Sequence, residues 1–482
     1  METNSTRSGT VAGSLQRAVA NRSKILAIIL LGIFICVLDI QIVAIALPTI
    51  THDLNAPLGE TQWIATAYVI TVLATVLIFG RLSGAVGNGR LFKTGLVIFT
   101  LSSFACGLSA TLTELILFRV LQALGASMLM SICIAIIMQV FPPGERGRAM
   151  GLYTAVIGLG MIVGPAAGGF IVDTLGWPFI FFVNVPIGIG LLAGAAYYLT
   201  FDRRDDGARP HDIFGAIFLV ALMAALAVAL DTLANPPVQT LTFALWAGVF
   251  LAASVLFIAR ELSTPHPLLD IRLLSNRAFL LPSASLILYL TATFILLTVL
   301  PFYFEIVMGL APSHIGLLAL ITPVVMILCA PLFGWVYDRH PWTKYTFFGI
   351  ILMGIAYIAC GAAFAGIDFW LVIVLFVVIG IARSIFQGPN SIEIMAAVPP
   401  AMLGVGSSLI ISLQYLGIVF GVSLTAIFLT TGMAGMGYTG PVLGAAPALF
   451  AGITGELMTI GGIILLIGAA CSFRRKNTGS MR

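Results

Sequence analysis

Apolar residues run from Ile25 almost to the C-terminus, broken only by short clusters of charge, glycine and proline. Cutting at those clusters predicts fourteen membrane spans, at about 25–48, 62–82, 94–112, 115–140, 148–172, 178–200, 213–233, 241–260, 279–304, 314–336, 345–366, 369–397, 403–430 and 453–473. A helix needs about 20 apolar residues to cross a hydrocarbon core. The breaks leave no room for a soluble domain. The longest polar connections are the N-terminal tail and Phe201–Asp212, and the Gly-rich apolar residues 432–452 read as a mobile or re-entrant outer loop.

One run is unusual in its small residues. Between Arg148 and Asp173 lie 24 uncharged residues that include Gly151, Gly160, Gly164, Pro165, Gly168 and Gly169. In a water-soluble helix so much glycine, with a proline, would be costly. In lipid, small residues let neighbouring backbones approach closely, and adjacent helices satisfy the carbonyl that proline frees.

Composition supports the membrane reading, since 60% of the residues are hydrophobic and only 9% are charged, against roughly 25% charged in soluble domains. The formal net charge of +4 invites a nucleic-acid reading until its location is traced. Of 23 Lys and Arg, 21 lie in the two tails or in the loops after even-numbered spans, and the loops after odd-numbered spans hold none. Cytoplasmic loops carry such an excess. Both termini are therefore expected in the cytoplasm of a multi-pass protein of the cell's cytoplasmic (inner) membrane, with no nucleic-acid partner. Arg7, Arg17, Arg22 and Lys24 before an apolar run, with Ala44-Ile45-Ala46 beyond it, imitate a cleavable signal. That run is long, carries Asp39 and is followed by many more, which favours an uncleaved first helix. Six cysteines fall inside apolar spans without metal-like spacing and read as small buried hydrophobes.

The chain also repeats itself. A shift of 257 lays Pro142-Pro143, Gly147, Gly160 and Gly164 onto Pro399-Pro400, Gly404, Gly417 and Gly421. A shift of 253 lays Leu47-Pro48 onto Leu300-Pro301, and 254 lays Phe79-Gly80 and Arg90 onto Phe333-Gly334 and Lys344. One steady offset predicts two homologous six-helix halves of the same orientation. The expected organisation is a tail at 1–24, a six-helix bundle at 25–200, loops plus two inserted helices at 201–277, a second six-helix bundle at 278–473 and a tail at 474–482. The fold class is an all-α polytopic membrane protein.

The spacing Gly151, Gly160, Gly164-Pro165, Gly168-Gly169 resembles the fifth-helix antiporter motif of the major facilitator superfamily over all of its 19 positions. Leu38 through Val43 with Ala46-Leu47-Pro48 is similar to the first-helix motif of that superfamily's fourteen-helix drug:proton antiporter branch. Phe118 through Gly125 is similar to the fourth-helix motif with its membrane arginine, and Gly176-Trp177 with Phe181 through Gly188 resembles the start of the sixth helix. The resemblance covers nearly the whole chain. It implies a gating role for the fifth-helix glycines and a charge relay involving Arg81, Arg90, Asp338 and Arg339. There are departures: Gly84 stands where the relay has an Asp, Asn88 near where it has a basic residue, Glu305 where a Gln is expected, and Arg383 where the residue is usually small.

No Walker A sequence is present, since none of the four lysines follows a glycine. Neither is there a nucleophile–base cluster in a soluble domain, so the chain is not expected to be an enzyme. No cofactor is expected, the driving force being the proton gradient. The chemistry instead points to ionisable groups within or at the ends of spans: Asp39, Arg119, Glu305, Arg383 and Glu393. Such groups face a cavity or one another. Asp39 and Arg119 fall at similar depth on antiparallel spans, so they are expected to pair, with Asp39 as proton carrier and Glu305 as a further coupling carboxylate. Arg383 needs a partner, for which Glu305 and Asp39 are candidates. Gln122, Tyr68, Tyr289, Tyr303, Gln414 and Arg383 are the expected substrate-cavity residues. Together these predict a monomeric proton-coupled exporter of hydrophobic, cationic drugs by alternating access. A substrate-specific transporter of an anionic metabolite, suggested by Arg383, and a non-transporting receptor or scaffold stay open beside it.

Overall fold

The structure is a computed structural model that describes residues 20–54, 61, 63–199, 213–234, 240–264, 275–310, 312–340, 344–438 and 446–473. The expected tails, the loop at 201–212 and the middle of the apolar loop at 432–452 lie largely or wholly outside the described residues. Fourteen long helices appear among the described residues: α1 (Arg22–Asp53), α2 (Trp63–Val86), α3 (Asn88–Gly107), α4 (Leu112–Val140), α5 (Arg146–Leu175), α6 (Asn184–Tyr198, led by a short turn Phe179–Phe182), α7 (Ile213–Ala234), α8 (Thr240–Ser263), α9 (Arg277–Ile306), α10 (Ile321–Arg339, led by Pro312–Ala319), α11 (Tyr345–Ala365), α12 (Phe369–Ala396), α13 (Leu403–Gly435) and α14 (Pro447–Phe473).

Twelve of these segments are long and apolar enough to cross a membrane, rather than the fourteen expected. Of the other two, α3 falls short because Arg90, Lys93, Ser102 and Ser103 dilute its apolar run, and α7 carries an apolar stretch at Phe214–Leu226 among the described residues. Helix ends follow local chemistry. Thr111 and Glu114 form a reciprocal cap at the start of α4, with the Glu114 N–H donating to the Thr111 hydroxyl at 3.2 Å. Asp368 accepts from the N–H of Leu371 at 3.0 Å to open α12. Gly176 ends α5 at φ +91°, a conformation that side chains rarely adopt.

The chain divides into two compact units. The first comprises residues 1–224, 253–270 and 398–412, and the second comprises 225–252, 271–397 and 413–482. In the first, α1 packs on α5 and α6, and α4 on α2 and α3. Residues 398–412 join this unit where Gly404 and Ser408 meet Gly80 and Ser83 of α2. The span taken from α4 is 78% buried, which makes it the central helix, whereas that of α8 is only 11% buried. In the second unit, α11 packs on α14 and α12, and α9 on α14 and α12.

The repeat seen in the sequence returns as packing within each unit. A Cβ at Gly160 would lie 2.8 Å from the Val37 side chain, and one at Gly164 would overlap Gln41. In the second unit, a Cβ at Gly417 would lie 2.6 Å from the Leu290 side chain, and one at Gly421 would lie 2.8 Å from that of Phe294. The partners Val37 and Leu290 are separated by the same 253 residues as Gln41 and Phe294. Both units thus use glycines to bring two backbones together. Gly169 behaves differently from the other motif glycines, because nothing lies within 4 Å of its Cβ position. The absence of counterparts to Pro165 and Gly168-Gly169 suggests that substitution at Gly421 should be milder than at Gly164. The packing gives no such difference, because a Cβ at Gly421 meets the Thr291 carbonyl oxygen, a backbone atom that no rotamer change can remove.

Leucine at Gly164 or Gly421 is therefore expected to destabilise the purified protein comparably, by about 1–3 kcal/mol each. Leucine at Gly169 leaves the melting temperature near that of the parent. Thermal melts in detergent, read by size-exclusion recovery, check this, and a Gly169 variant as damaged as the other two would overturn the packing account.

Candidate functional site

The first unit encloses a buried ion pair. Asp39 of α1 and Arg119 of α4 are each 1% exposed, and Arg119 Nη1 donates to Asp39 Oδ2 at 2.6 Å. The second carboxylate oxygen accepts from Gln122 Nε2 and from Asn184 Nδ2, both at 2.9 Å. Gln122 also accepts from Arg119 Nη1 at 2.6 Å and donates to the Ser103 hydroxyl at 2.7 Å. The guanidinium also donates through Nε to the Ile64 carbonyl at 3.2 Å, and its carbon lies 4.2 Å from the ring centre of Tyr68. A buried charge is tolerated when paired and hydrogen-bonded in this way.

Asp39 faces three donors and no acceptor, an arrangement that fits the carboxylate. A protonated carboxyl needs an acceptor for its O–H. Asn184 holds one in reserve, because its Oδ1 is buried without a hydrogen-bond partner. Turning that amide over would present the oxygen to Asp39 and satisfy the acid form. The same side chain can therefore serve either protonation state.

The sequence anticipated the Asp39–Arg119 pair but not its full surroundings. Gln122 and Tyr68, expected on a substrate path, belong to this network instead. Asn184 and Ser103 were missed as ligands of the carboxylate and of Gln122, although Asn184 lies inside the sixth-helix motif. The fifth helix reaches the site from behind: Gly160, Gly164 and Gly168 press on Val37, Gln41 and Ile42, the residues flanking Asp39 on α1. Pro165 lies within α5, and Gly151 is buried there.

In the second unit the expected residues scatter. Glu305 is exposed near the end of α9, and among the described residues it forms no ion pair with Arg383. Asp39 is likewise committed to Arg119, so neither expected partner serves Arg383. Tyr303 is a packing residue, stacked on Phe364 at 3.8 Å with its hydroxyl donating to the Phe364 carbonyl at 3.0 Å. Tyr289 does meet Arg383, whose Nε donates to its hydroxyl at 3.0 Å. Gln414 is half-buried on α13. Glu393 accepts from the Thr346 hydroxyl at 3.3 Å. Of the relay residues, Arg81 and Asp338 are half-buried, and Arg90 and Arg339 are exposed. Arg339 lies over Trp335 at 4.0 Å.

A family model described as the Major Facilitator Superfamily matches residues 29–422. The riboflavin transporter RibZ of Clostridioides difficile (strain 630) is 32% identical over 410 residues, which are 84% of this chain and 87% of that protein. Multidrug resistance protein 3 of Bacillus subtilis (strain 168) is 33% identical over 307 residues, covering 62% of this chain and 58% of its own length. A solved structure of a double-tryptophan mutant of XylE is similar in fold, with a TM-score of 0.64 at 14% identity over 93% of this chain and 94% of that one.

Asp39→Asn keeps the shape of the site but leaves Arg119 as a buried cation without a counter-charge, a loss expected to cost about 3–5 kcal/mol. Neutralising both partners, as Asp39→Asn with Arg119→Gln, removes that uncompensated charge and should recover most of the stability. Melting curves of the two single variants and the double variant test this. Additive losses in the double variant would mean that the two side chains do not act as a pair.

Proposed function

Because the chain belongs to the major facilitator superfamily, we propose that it is a proton-coupled secondary transporter exporting small hydrophobic organic solutes across the cytoplasmic membrane. It works as a monomer, by alternating access, with both termini in the cytoplasm. The observation that carries this reading is the sealed Asp39–Arg119–Gln122–Asn184 network in the middle of apolar helices. Asp39 is closed off from water in this conformation. A titrating group that is sealed in one conformation and wetted in another couples proton binding to the conformational change. Asn184 accommodates both protonation states of the carboxyl through its amide.

The energy suffices for uphill export. Each proton charge moving inward releases about 2.3 kcal/mol per 100 mV, before any pH difference is added. Relatives named for riboflavin transport and for multidrug resistance support a small organic solute. Multidrug-named relatives also support the drug:proton antiporter branch. The cation preference inferred from Glu305 is left out of this reading; that carboxylate is exposed and forms no ion pair with Arg383 among the described residues.

In proteoliposomes with an imposed pH gradient, the parent protein is expected to move protons when a transported dye is added, and Asp39→Asn to abolish that movement. Proton flux in the Asn variant equal to the parent's would remove Asp39 as the carrier. Glu305→Gln should change efflux of matched mono- and dications by no more than about twofold, as for a screened surface charge. A selective loss of the dication would restore Glu305 to the site.

A further inference from the structure

Arg383 is a buried cation that forms no ion pair among the described residues. It is 6% exposed in α12, and its Nε donates to the Tyr289 hydroxyl, which donates in turn to Gln387 Oε1 at 3.0 Å. Among the described residues neither terminal nitrogen of the guanidinium makes a hydrogen bond, and no carboxylate lies within 4.0 Å of it. Of the acids of this unit whose side chains are described, Glu393 accepts from Thr346, Asp368 caps α12, Asp338 is half-buried at the end of α10, and Glu305 and Glu456 are exposed. The hydroxyl of buried Tyr357 lies in the field of the same cation.

The first unit's buried arginine, by contrast, has an acid beside it: Arg119 Nη1 donates to Asp39 and Gln122, and its Nε to the Ile64 carbonyl. At the repeat offsets of 253 and 257, the places of Asp39 and Arg119 are taken by Ala292 and Phe376. Arg383 is therefore not the repeat's copy of Arg119, and no acid stands at the repeat position of Asp39 to match it. A buried guanidinium with a free fork is costly on its own and suits a planar anion with two oxygens. Phe386, with its ring 4.9 Å from that of Tyr289, adds an apolar aromatic wall.

We propose that Arg383, Tyr289 and Gln387 form a subsite for an organic anion, a carboxylate or similarly delocalised group on an apolar ring body. The inference rests on the transport reading for the role of that anion as cargo, while its binding stands independently of proton coupling. Arg383 contacts the anion, Tyr289 orients the guanidinium through Nε, and Gln387 holds the Tyr289 hydroxyl.

The test measures binding to the full chain in lipid nanodiscs without any gradient, using naphthalene-1-carboxylate and its neutral carboxamide, with empty nanodiscs subtracted. The carboxylate should bind the parent about tenfold or more tightly than the amide, as a charge-assisted pair implies. Arg383→Gln should bring the two affinities within about twofold. No preference in the parent, or an undiminished preference in the Gln variant, overturns the proposal. Should the Gln variant not fold, phenylglyoxal labelling of the parent decides. Protection of Arg383 by the carboxylate and not by the amide supports the subsite, and equal labelling with and without carboxylate overturns it. If proton-driven efflux fails while the Arg383-dependent preference holds, the transport reading falls and the subsite stands. The opposite pair of results removes the subsite alone.

Discussion

The charge pair of Asp39 and Arg119 constrains the first unit more than any other contact. It draws a group from five helical segments. Asp39 comes from α1, the Ile64 carbonyl and the Tyr68 ring from α2, Ser103 from α3, Arg119 and Gln122 from α4, and Asn184 from α6. Lipid and packed side chains offer no substitute partners, so each helix must present one particular face. The depth of the pair and the rotation of its helices are set together.

The glycines of α5 serve that same arrangement. They allow α5 to close on α1 at Val37, Gln41 and Ile42, which flank Asp39 in the chain. The antiporter-like motif and the buried Asp39 thus meet on one helix, α1. Bulk added to α5 would press on the residues beside Asp39 and disturb a network whose hydrogen bonds are 2.6 to 2.9 Å long around the carboxylate.

The second unit preserves the packing of the repeat and discards its charge. Gly417 and Gly421 seat α13 on α9 as Gly160 and Gly164 seat α5 on α1. The acid and base of the first unit are replaced by Ala292 and Phe376, and a new cation appears at Arg383. Packing and charge have separated because they reside on different faces: glycines on the contact face, ionisable groups on the face turned toward other helices.

Amino-acid order alone determined the all-helical membrane class, the internal repeat, the family resemblance and the pairing of Asp39 with Arg119. Each follows from one-dimensional quantities: run length against bilayer thickness, offset between motifs, and the cost that forces lone membrane charges together. The tertiary structure decided the partners. It turned Gln122 and Tyr68 from substrate-path residues into ligands and neighbours of the ion pair, and it brought in Asn184 from 145 residues away. Tyr303 became a stacked packing residue, Glu305 stayed exposed, and Arg383 forms no ion pair among the described residues. A side chain's direction changes by about 100° per residue along a helix, so helix rotation decides what it meets. That rotation is set by glycine contacts and buried polar groups on other helices, and nothing local in the chain records it.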